Sequence, residues 1–266
     1  MVNIGDEQKK CSDWRIIRHG KSTPDKPILI EGLPGIGNVG KIVMDMLIES
    51  TKAKKIVSFF SHHLPSAVFI RENNLISTPG IALYHKRIGK QDFLFMTGDT
   101  QPVREEACYT LCEETLTLLD EWHAKLIITI GGIGLDHVPE QPHVFCSGTD
   151  KASVASFTKN TTAEKSIYGI VGPIMGVTGV LLGNAQRRKL PAITLLAETF
   201  GHPLYLGLKG ARAILSLLDK KYTLGVRFKD LDKEITFVED QLQGNTPPKS
   251  KFKPVLTEKM ATNYIG

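Results

Sequence analysis

Short apolar runs rich in β-branched residues meet a glycine-containing turn four times along the 266-residue chain, and a helical pattern often follows. The runs and their turns are 28–32 with 33–40, 126–130 with 131–134, 166–171 with 172–173, and 192–196 with 198–203. Helices are predicted to follow at 41–51, 176–185 and 204–220. Further strands are predicted at 55–60, 67–70, 81–85 and 92–97.

This alternation predicts the fold class. Strands that are apolar on both faces and alternate with helices are typical of a mostly parallel sheet that is covered on both sides. We therefore expect an α/β protein with a three-layer α/β/α arrangement.

Two further helices follow from their periodicity. The segment 99–124 places Ala107, Leu111 and Leu118 on one face, and Asp99 or Thr100 is expected to cap it. The segment 230–242 repeats apolar residues at positions 231, 235, 238 and 242. Such a stripe needs a partner surface, which is either the body of the protein or another subunit.

Charge divides the chain into three parts. The net charge of +5 is made of +2 in residues 1–27, +3 in residues 243–266 and none in residues 28–242. We predict an N-terminal extension (1–27), a single α/β/α domain (28–242) and a flexible, basic C-terminal tail (243–266) that is rich in proline and lysine at its start. A neutral body argues against nucleic acid and membrane surfaces as partners.

Apolar runs and cysteines indicate the cellular setting. No run approaches the roughly 18–20 residues of a spanning helix, and the first residues lack the apolar stretch of a signal peptide. The four cysteines form no Cys-x-x-Cys pair and are too few for a disulfide scaffold. We therefore expect a cytoplasmic protein in a reducing environment.

The segment 35–42 matches two phosphate-binding motifs incompletely. It fits the dinucleotide pattern G-x-G-x-x-G, but residues 61–63 offer no carboxylate to hold a ribose. It also fits the P-loop pattern through Lys41, but Ile42 replaces the hydroxyl that would bind Mg²⁺. Two interpretations stay open: a tight turn that packs a helix close to the sheet, or a loop that holds a ligand, which is a nucleotide, another anion or a partner's carboxylate. The candidate residues of the second are Gly35, Gly37, Asn38, Gly40, Gly131 and Gly132.

Catalytic constellations are incomplete in the sequence. The loop with Asp136, His137, Glu140 and His143 matches no zinc spacing, and no G-x-S-x-G elbow occurs. Cys108 and Cys112 lie four residues apart on the predicted buried face of their helix and are interpreted as core thiols. We therefore predict no catalytic residues, no metal, no cofactor and no enzymatic activity.

As an ordered set, several segments resemble the archaeal homologues of proteasome assembly chaperone 2. They are LIEGLPGIGNVG at 29–40, IGG at 130–132, IVGP at 170–173 with its glycine-spaced helix, and LPA at 190–192 leading to Glu198 and Thr199. The resemblance covers roughly residues 28–242. It implies a fold like that of nucleoside phosphorylases without a known reaction, self-assembly, and a role around the 20S proteasome.

The same resemblance directs attention to the C-terminus. Some archaeal members end in a hydrophobic residue, a tyrosine and any residue, and this end docks between proteasome α subunits. Here Tyr264 is third from the end and follows Asn263, so the chain departs from that pattern. Tyr264, Ile265 and Gly266 are the candidate partner-binding residues, and an ordinary solvated terminus is the alternative.

The resemblance predicts a non-enzymatic assembly chaperone or activator-like adaptor. Its expected partners are the 20S proteasome or its α subunits, further copies of itself, and a paralogous subunit. The alternative function is a small-molecule or nucleotide-binding enzyme with a site at the carboxyl ends of the strands. Asp99 and Glu198 would then join the glycines at that edge.

Overall fold

The computed structural model describes residues 13–71, 74–169 and 172–242. The strands are β1 (Arg15–Arg18), β2 (Ile28–Glu31), β3 (Lys54–Phe60), β4 (Phe69–Ile70), β5 (Ile76–Ser77), β6 (Ile81–Ile88), β7 (Gln91–Gly98), β8 (Leu126–Leu135), β9 (Val144–Gly148) and β10 (Ala192–Phe200). The helices are α1 (Val39–Thr51), α2 (Glu105–Glu121), α3 (Lys151–Thr158), α4 (Gly176–Arg187), α5 (Leu208–Tyr222) and α6 (Phe228–Leu242).

Eight of these strands form one sheet with the order β1-β3-β6-β7-β2-β8-β10-β9. The four central strands, β7, β2, β8 and β10, are parallel, whereas β6, β3, β1 and β9 join through antiparallel pairs. Five of the eight strands therefore run in one direction. The predicted α/β class with a mostly parallel sheet flanked by helices is confirmed.

The sheet separates two apolar cores. Ile28 and Ile30 of β2 face α1, α5 and α6, while Leu29 faces α2 and α4. This alternation follows from the two-residue period of a strand. Because both faces are covered, β2 is buried throughout, as expected for the centre of a parallel sheet. None of the described helices is both long and apolar enough to cross a membrane.

Strands β8 and β10 continue beyond their predicted ends. The predicted turn 131–134 is wrong, because β8 pairs with β10 in parallel register from Ile127 to Leu135. Glu198, predicted to begin a turn, likewise lies within β10. The glycines of β8 serve close packing instead, since a Cβ on Gly132 would overlap the backbone carbonyl oxygen of Ile36.

Helix α2 begins later in the chain than predicted. Its first residue is Glu105, six residues after Asp99, and Arg104 at its N-cap makes no side-chain capping bond. Asp99 instead pairs with Arg71 and accepts a hydrogen bond from the Gly80 amide. A short connection therefore separates β7 from α2.

Both edges of the sheet contain strands that the periodicity missed. Residues 15–18, placed in the predicted N-terminal extension, form β1 and pair with β3. The predicted strand 166–171 is absent from its described part, 166–169, and β9 forms the edge beside β10.

The apolar stripe of α6 packs on the body of the same chain. Leu231 is fully buried, and Ile235 and Val238 pack against the core that includes α5. The partner surface predicted for this stripe is therefore the domain itself.

Candidate functional site

The carboxyl ends of β2, β7, β8 and β10 meet at one edge of the sheet, here called the carboxyl edge. Connections that follow these strands, and the N-terminus of α4, lie at this edge. Open α/β sheets bind their ligands and partners at this place, because loops from several strands converge there. The predicted glycine residues also lie here.

The glycine turn after β2 is closely packed. Gly37 and Asn38 have φ angles of +60° and +51°, so the chain reverses sharply before α1. A Cβ on Gly40 would lie 2.8 Å from the carbonyl oxygen of Ile130, so α1 starts directly against β8. The amide of Gly207 donates to the Gly37 carbonyl at 2.7 Å and ties α5 to the same turn.

Five of the predicted loop residues lie within or directly against this turn. Gly35, Gly37, Asn38 and Gly40 form it, and Gly132 packs beneath it; Gly131 contacts Leu196 in the neighbouring strand. The geometry provides the tight strand-to-helix turn that one interpretation requires. Anion binding by these residues stays a prediction.

A polar cluster lies beneath the carboxyl edge, between the sheet and α4. The side chain of Glu31 is fully buried; its Oε1 accepts hydrogen bonds from the Leu33 amide at 3.1 Å and from Thr178 at 3.5 Å. Its Oε2 has no hydrogen-bond partner among the described residues. Thr129 of β8 pairs with Glu31 in the sheet register, and Thr194 of β10 pairs with Thr129. The buried hydroxyls of both threonines are likewise unpartnered in the described chain.

Burial is the main determinant of the pKa of Glu31. Desolvation raises its pKa from 4.5 to about 7, and the hydrogen bonds from Leu33 and Thr178 oppose that rise only in part. The sequence pattern of residues 28–32 predicts a strand but does not predict the buried polar environment of Glu31. The available signal was a carboxylate inside a run that is otherwise apolar.

The carboxylates of the alternative enzyme site are engaged elsewhere. Asp99 accepts from Arg71 at 3.0 Å, outside the glycine turn. Glu198 accepts from the amide of His143 at 2.9 Å. Each carboxylate is thus engaged by a partner outside the glycine turn.

Two loop histidines bond neighbouring carboxylates, and three cysteines are buried. His143 bonds Glu164, which raises the pKa of the imidazole, and His137 bonds Asp136 at 2.6 Å. No group of three or more His, Cys, Asp or Glu side chains in residues 13–71, 74–169 and 172–242 could hold a metal ion. Cys108, Cys112 and Cys146 are buried free thiols whose pKa values burial raises, which agrees with the interpretation of Cys108 and Cys112 as core residues.

Exposed hydrophobic side chains gather at the carboxyl edge. Of the twelve large hydrophobic residues exposed in the described chain, ten lie in the connections at this edge. We call them the carboxyl-edge surface: Ile36, Val68, Ile70, Leu75, Ile76, Val103, Val138, Tyr168, Met175 and Leu204. Exposed apolar residues concentrated on one side of a protein are typical of a protein-binding surface.

The β4–β5 hairpin is the most apolar part of this surface. Ile70 and Ile76 pair in register and are 75% and 71% exposed. Arg71 stacks over Phe69 at 5.3 Å and donates to Ser77 at 2.6 Å within the hairpin, and its ion pair with Asp99 holds the hairpin to the domain. An open groove of about 460 Å³ is lined by the segments on either side of the hairpin, which are residues between 60 and 68 and residues 78–79. The hairpin is thus a fixed apolar projection beside a groove.

Tyr264, Ile265 and Gly266, the predicted partner-binding residues, lie outside the described residues. The same holds for the rest of the predicted tail, 243–266. Their role stays a prediction.

Comparisons with known proteins identify one matching family model and several proteins of similar sequence or fold. A model of the PAC2 family matches residues 29–245. The fold is similar to that of PbaB from Pyrococcus furiosus, an archaeal proteasome activator, with 29% identity and a TM-score of 0.80 over 88% of this chain and 98% of that one. It is also similar to PbaA from the same organism, an archaeal homolog of proteasome-assembly chaperone, with 24% identity and a TM-score of 0.73 over 87% and 90% of the two chains. MJ1210, an uncharacterized protein of Methanocaldococcus jannaschii, is 26% identical over 219 residues, which are 82% of this chain and 83% of that protein.

Proposed function

The chain belongs to the PAC2 family, and we propose from this membership that it is a cytoplasmic chaperone or activator-like adaptor of the 20S proteasome, a role carried out by binding and not by catalysis. The observation that carries the proposal is the similarity to PbaB, which extends over 98% of that protein. The carboxyl-edge surface supports it, because a protein that acts by binding other proteins needs exposed apolar area.

We further propose that the domain and the C-terminal tail bind different partners. Copies of the chain associate through the carboxyl-edge surface, and each copy presents its own C-terminal tail. Tyr264 and Ile265 then anchor the tail in the partner, and the Gly266 carboxylate supplies the charge. Several weakly binding tails on one body gain affinity through effective concentration.

Removal of the tail tests the proteasome assignment. A form that ends at Leu242, the last residue of α6, keeps the described fold complete. We expect the full chain to co-elute with the 20S proteasome or its α ring, and the shortened form to lose at least tenfold in affinity. Gel filtration followed by a binding titration measures both.

Two tail variants sharpen this experiment. Tyr264→Ala should reproduce most of the loss, whereas Phe252→Ala, which removes an aromatic ring from the proline- and lysine-rich part of the tail, should bind like the full chain. Equal binding by the full chain and the form ending at Leu242 would contradict the tail mechanism. Absence of binding by the full chain would contradict the partner assignment.

Self-association depends on the hairpin in this proposal. Replacing both Ile70 and Ile76 with lysine places two charges on the apolar projection and is expected to reduce the particle to a protomer of 29.4 kDa. The melting temperature should stay within a few degrees, because both side chains are exposed in the single chain. Light scattering after gel filtration measures the mass.

The control is Ile17→Lys, an exposed isoleucine on edge strand β1, away from the carboxyl edge. It should leave the mass of the assembly unchanged. A native protein that already has the mass of one protomer would refute self-association, and an unchanged mass in the double variant would refute the role of the hairpin.

A further inference from the structure

A second constellation lies at the opposite edge of the sheet, where β6 ends and β7 begins. The Nδ1 atom of His85 lies 2.8 Å from Oγ of Ser22, and its Nε2 lies 3.0 Å from Oδ1 of Asp92. Ser22 and His85 are 63 positions apart in the chain, so no sequence spacing indicates this contact. A hydroxyl, an imidazole and a carboxylate thus form one continuous hydrogen-bonded line.

Burial decreases along this line from the acid to the hydroxyl. The side chain of Asp92 is 4% exposed and that of His85 is 17% exposed, whereas Ser22 is exposed. The group that could meet a substrate is therefore at the surface, and the group that orients the base is shielded. Shielding strengthens the bond between Asp92 and His85, because water competes for it less.

The chemistry of Asp92 settles the tautomer of His85. Burial raises the pKa of Asp92, but the hydrogen bonds from the Asp25 amide and from His85, together with the charges of His85 and Arg87, outweigh burial and hold the pKa below its usual value. Asp92 is thus ionised at neutral pH and can only accept, so Nε2 of His85 donates to it. In the form of His85 that acts as a base, Nδ1 carries the lone pair and accepts the Ser22 hydroxyl proton.

The segment that carries Ser22 is fixed on both sides. Before it, the His19 amide donates to Ile56 of β3 at 2.7 Å. After it, the Asp25 amide donates to Asp92 Oδ2 at 3.0 Å, and the Lys26 amide donates to the Trp122 carbonyl at 2.9 Å. Asp92 therefore orients the imidazole and also anchors the segment that brings the hydroxyl to it.

We propose that Ser22, His85 and Asp92 form a catalytic triad that transfers acyl groups from small, activated esters to Ser22 and then to water. The arrangement meets the geometric definition of an activated nucleophile, which is a hydroxyl bonded to a base that a third group orients. It lies at the other end of the central strands from the carboxyl edge and uses none of the tail residues, so it is independent of the proposed function.

The reaction balances without a cofactor. Ser22 Oγ attacks the ester carbonyl carbon while its proton moves to His85 Nδ1, and the alcohol leaves with that proton. A water molecule then attacks the acyl-serine by the same route, which releases the carboxylic acid and restores the hydroxyl. Asp92 stays ionised and stabilises the imidazolium that forms between these steps.

Cationic side chains around the line indicate the substrate class. Lys54 pairs with His85 in the register of β3 and β6, and Arg87 lies beside Asp92 with its side chain 60% exposed. Lys21 precedes the nucleophile and is exposed. Esters that carry a negative charge near the acyl group are therefore the preferred substrates.

Labelling of the full-length protein with a fluorophosphonate probe tests the triad. Attack by Ser22 Oγ on phosphorus expels fluoride, so the expected product is an adduct that peptide mass spectrometry places on Ser22. Ser22→Ala should abolish the adduct. His85→Gln should slow labelling by about 100-fold, which is typical of the loss of a general base.

The chain itself offers a matched control. Ser58 bonds His19 at the same 2.8 Å, but in the described part of the chain no carboxylate lies within ion-pair distance of His19. Ser58 should stay unlabelled, and Ser58→Ala should label at the native rate. Labelling of both serines alike, or none on Ser22, would overturn the proposal.

Asp92 acts through His85 and is a positioning residue, so it needs a kinetic readout. In hydrolysis of 4-nitrophenyl acetate, Asp92→Asn is expected to lower kcat at least tenfold with little change in KM. An unchanged kcat in a folded Asp92→Asn protein would overturn its assigned role. Ser22 is exposed, so Ser22→Ala remains folded and decides the proposal even if Asp92→Asn does not fold.

Discussion

Gly32→Ala is expected to lower the free energy of unfolding by about 3 kcal/mol. A Cβ on Gly32 would lie 2.7 Å from the carbonyl carbon of Gly40 and 2.9 Å from its Cα, and real Cβ atoms do not approach backbone so closely. The atoms in the way belong to the first turn of α1, so no side-chain rotation relieves the overlap. The helix must move away from the sheet, and overpacking of this kind costs about 1–3 kcal/mol or more.

Gly35→Ala is the matched control, because it adds the same methyl group to the same turn. The nearest atom to a Cβ there is the Gln101 side chain at 3.9 Å, and its φ of −159° suits any residue. We expect Gly35→Ala to change the stability by less than about 0.5 kcal/mol. Urea unfolding measures both variants. Equal stabilities for Gly32→Ala and Gly35→Ala would show that the contact between β2 and α1 is looser than described.

Glu31→Gln is expected to stabilise the protein by about 3 kcal/mol at pH 8 and to change little at pH 4. The pKa of Glu31 is about 7 in the folded protein and 4.5 in the unfolded chain, so the folded state binds the proton more tightly. Between these two values stability falls as the pH rises, because the unfolded chain holds fewer protons. A difference of 2.5 pKa units corresponds to roughly 3 kcal/mol.

The groups that face Glu31 do not alter this sign. Thr178 of α4 and the Leu33 amide are neutral donors. Cys112 of α2 is the neighbouring titratable group, and burial, reinforced by the charge of Glu31, raises the pKa of its thiol well above the usual value. The thiol is therefore neutral across the window from pH 4 to pH 8. Glutamine keeps the acceptor oxygen and removes the charge.

Melting temperatures from pH 4 to pH 8 measure this effect. The native protein should lose stability across that window relative to Glu31→Gln, with a difference of roughly 10 °C at pH 8. Glu140→Gln, which neutralises an exposed loop carboxylate, should follow the native curve. Parallel curves for the native protein and Glu31→Gln would contradict the raised pKa.

Local patterns were sufficient for most of the secondary structure. The runs at 28–32, 55–60, 81–85 and 92–97 became strands, and the segments at 41–51, 176–185 and 230–242 became helices. These elements bury one or both faces at the period of their own backbone, so nearby residues carry the signal. Asp99 is an exception to this agreement. Its carboxylate accepts hydrogen bonds from Arg71 and from the Gly80 amide, so it does not cap the start of α2.

The residues around a glycine did not show whether it lies in a turn or in a strand. The glycines at 35, 37 and 40 lie where β2 connects to α1, as their sequence context predicts, but those at 131 and 132 continue a strand. A glycine permits either a turn or a close approach of two backbones, and only the position of Ile36 over β8 distinguishes them. The carboxyl-edge surface was unpredictable for a similar reason, since its exposed residues come from six separate connections, with the segment between β3 and β6 counted as one.

The sequence by itself determined the alternation of strands and helices, the neutral charge of residues 28–242 and the apolar stripe of α6, because each of these depends on composition or on residues within a few positions of one another. Only the tertiary structure decided the order of the strands, the burial of Glu31 and the alignment of Ser22, His85 and Asp92. These features join residues that are far apart in the chain, and they form only when packing of the whole sheet outweighs the entropy of closing the loops between them.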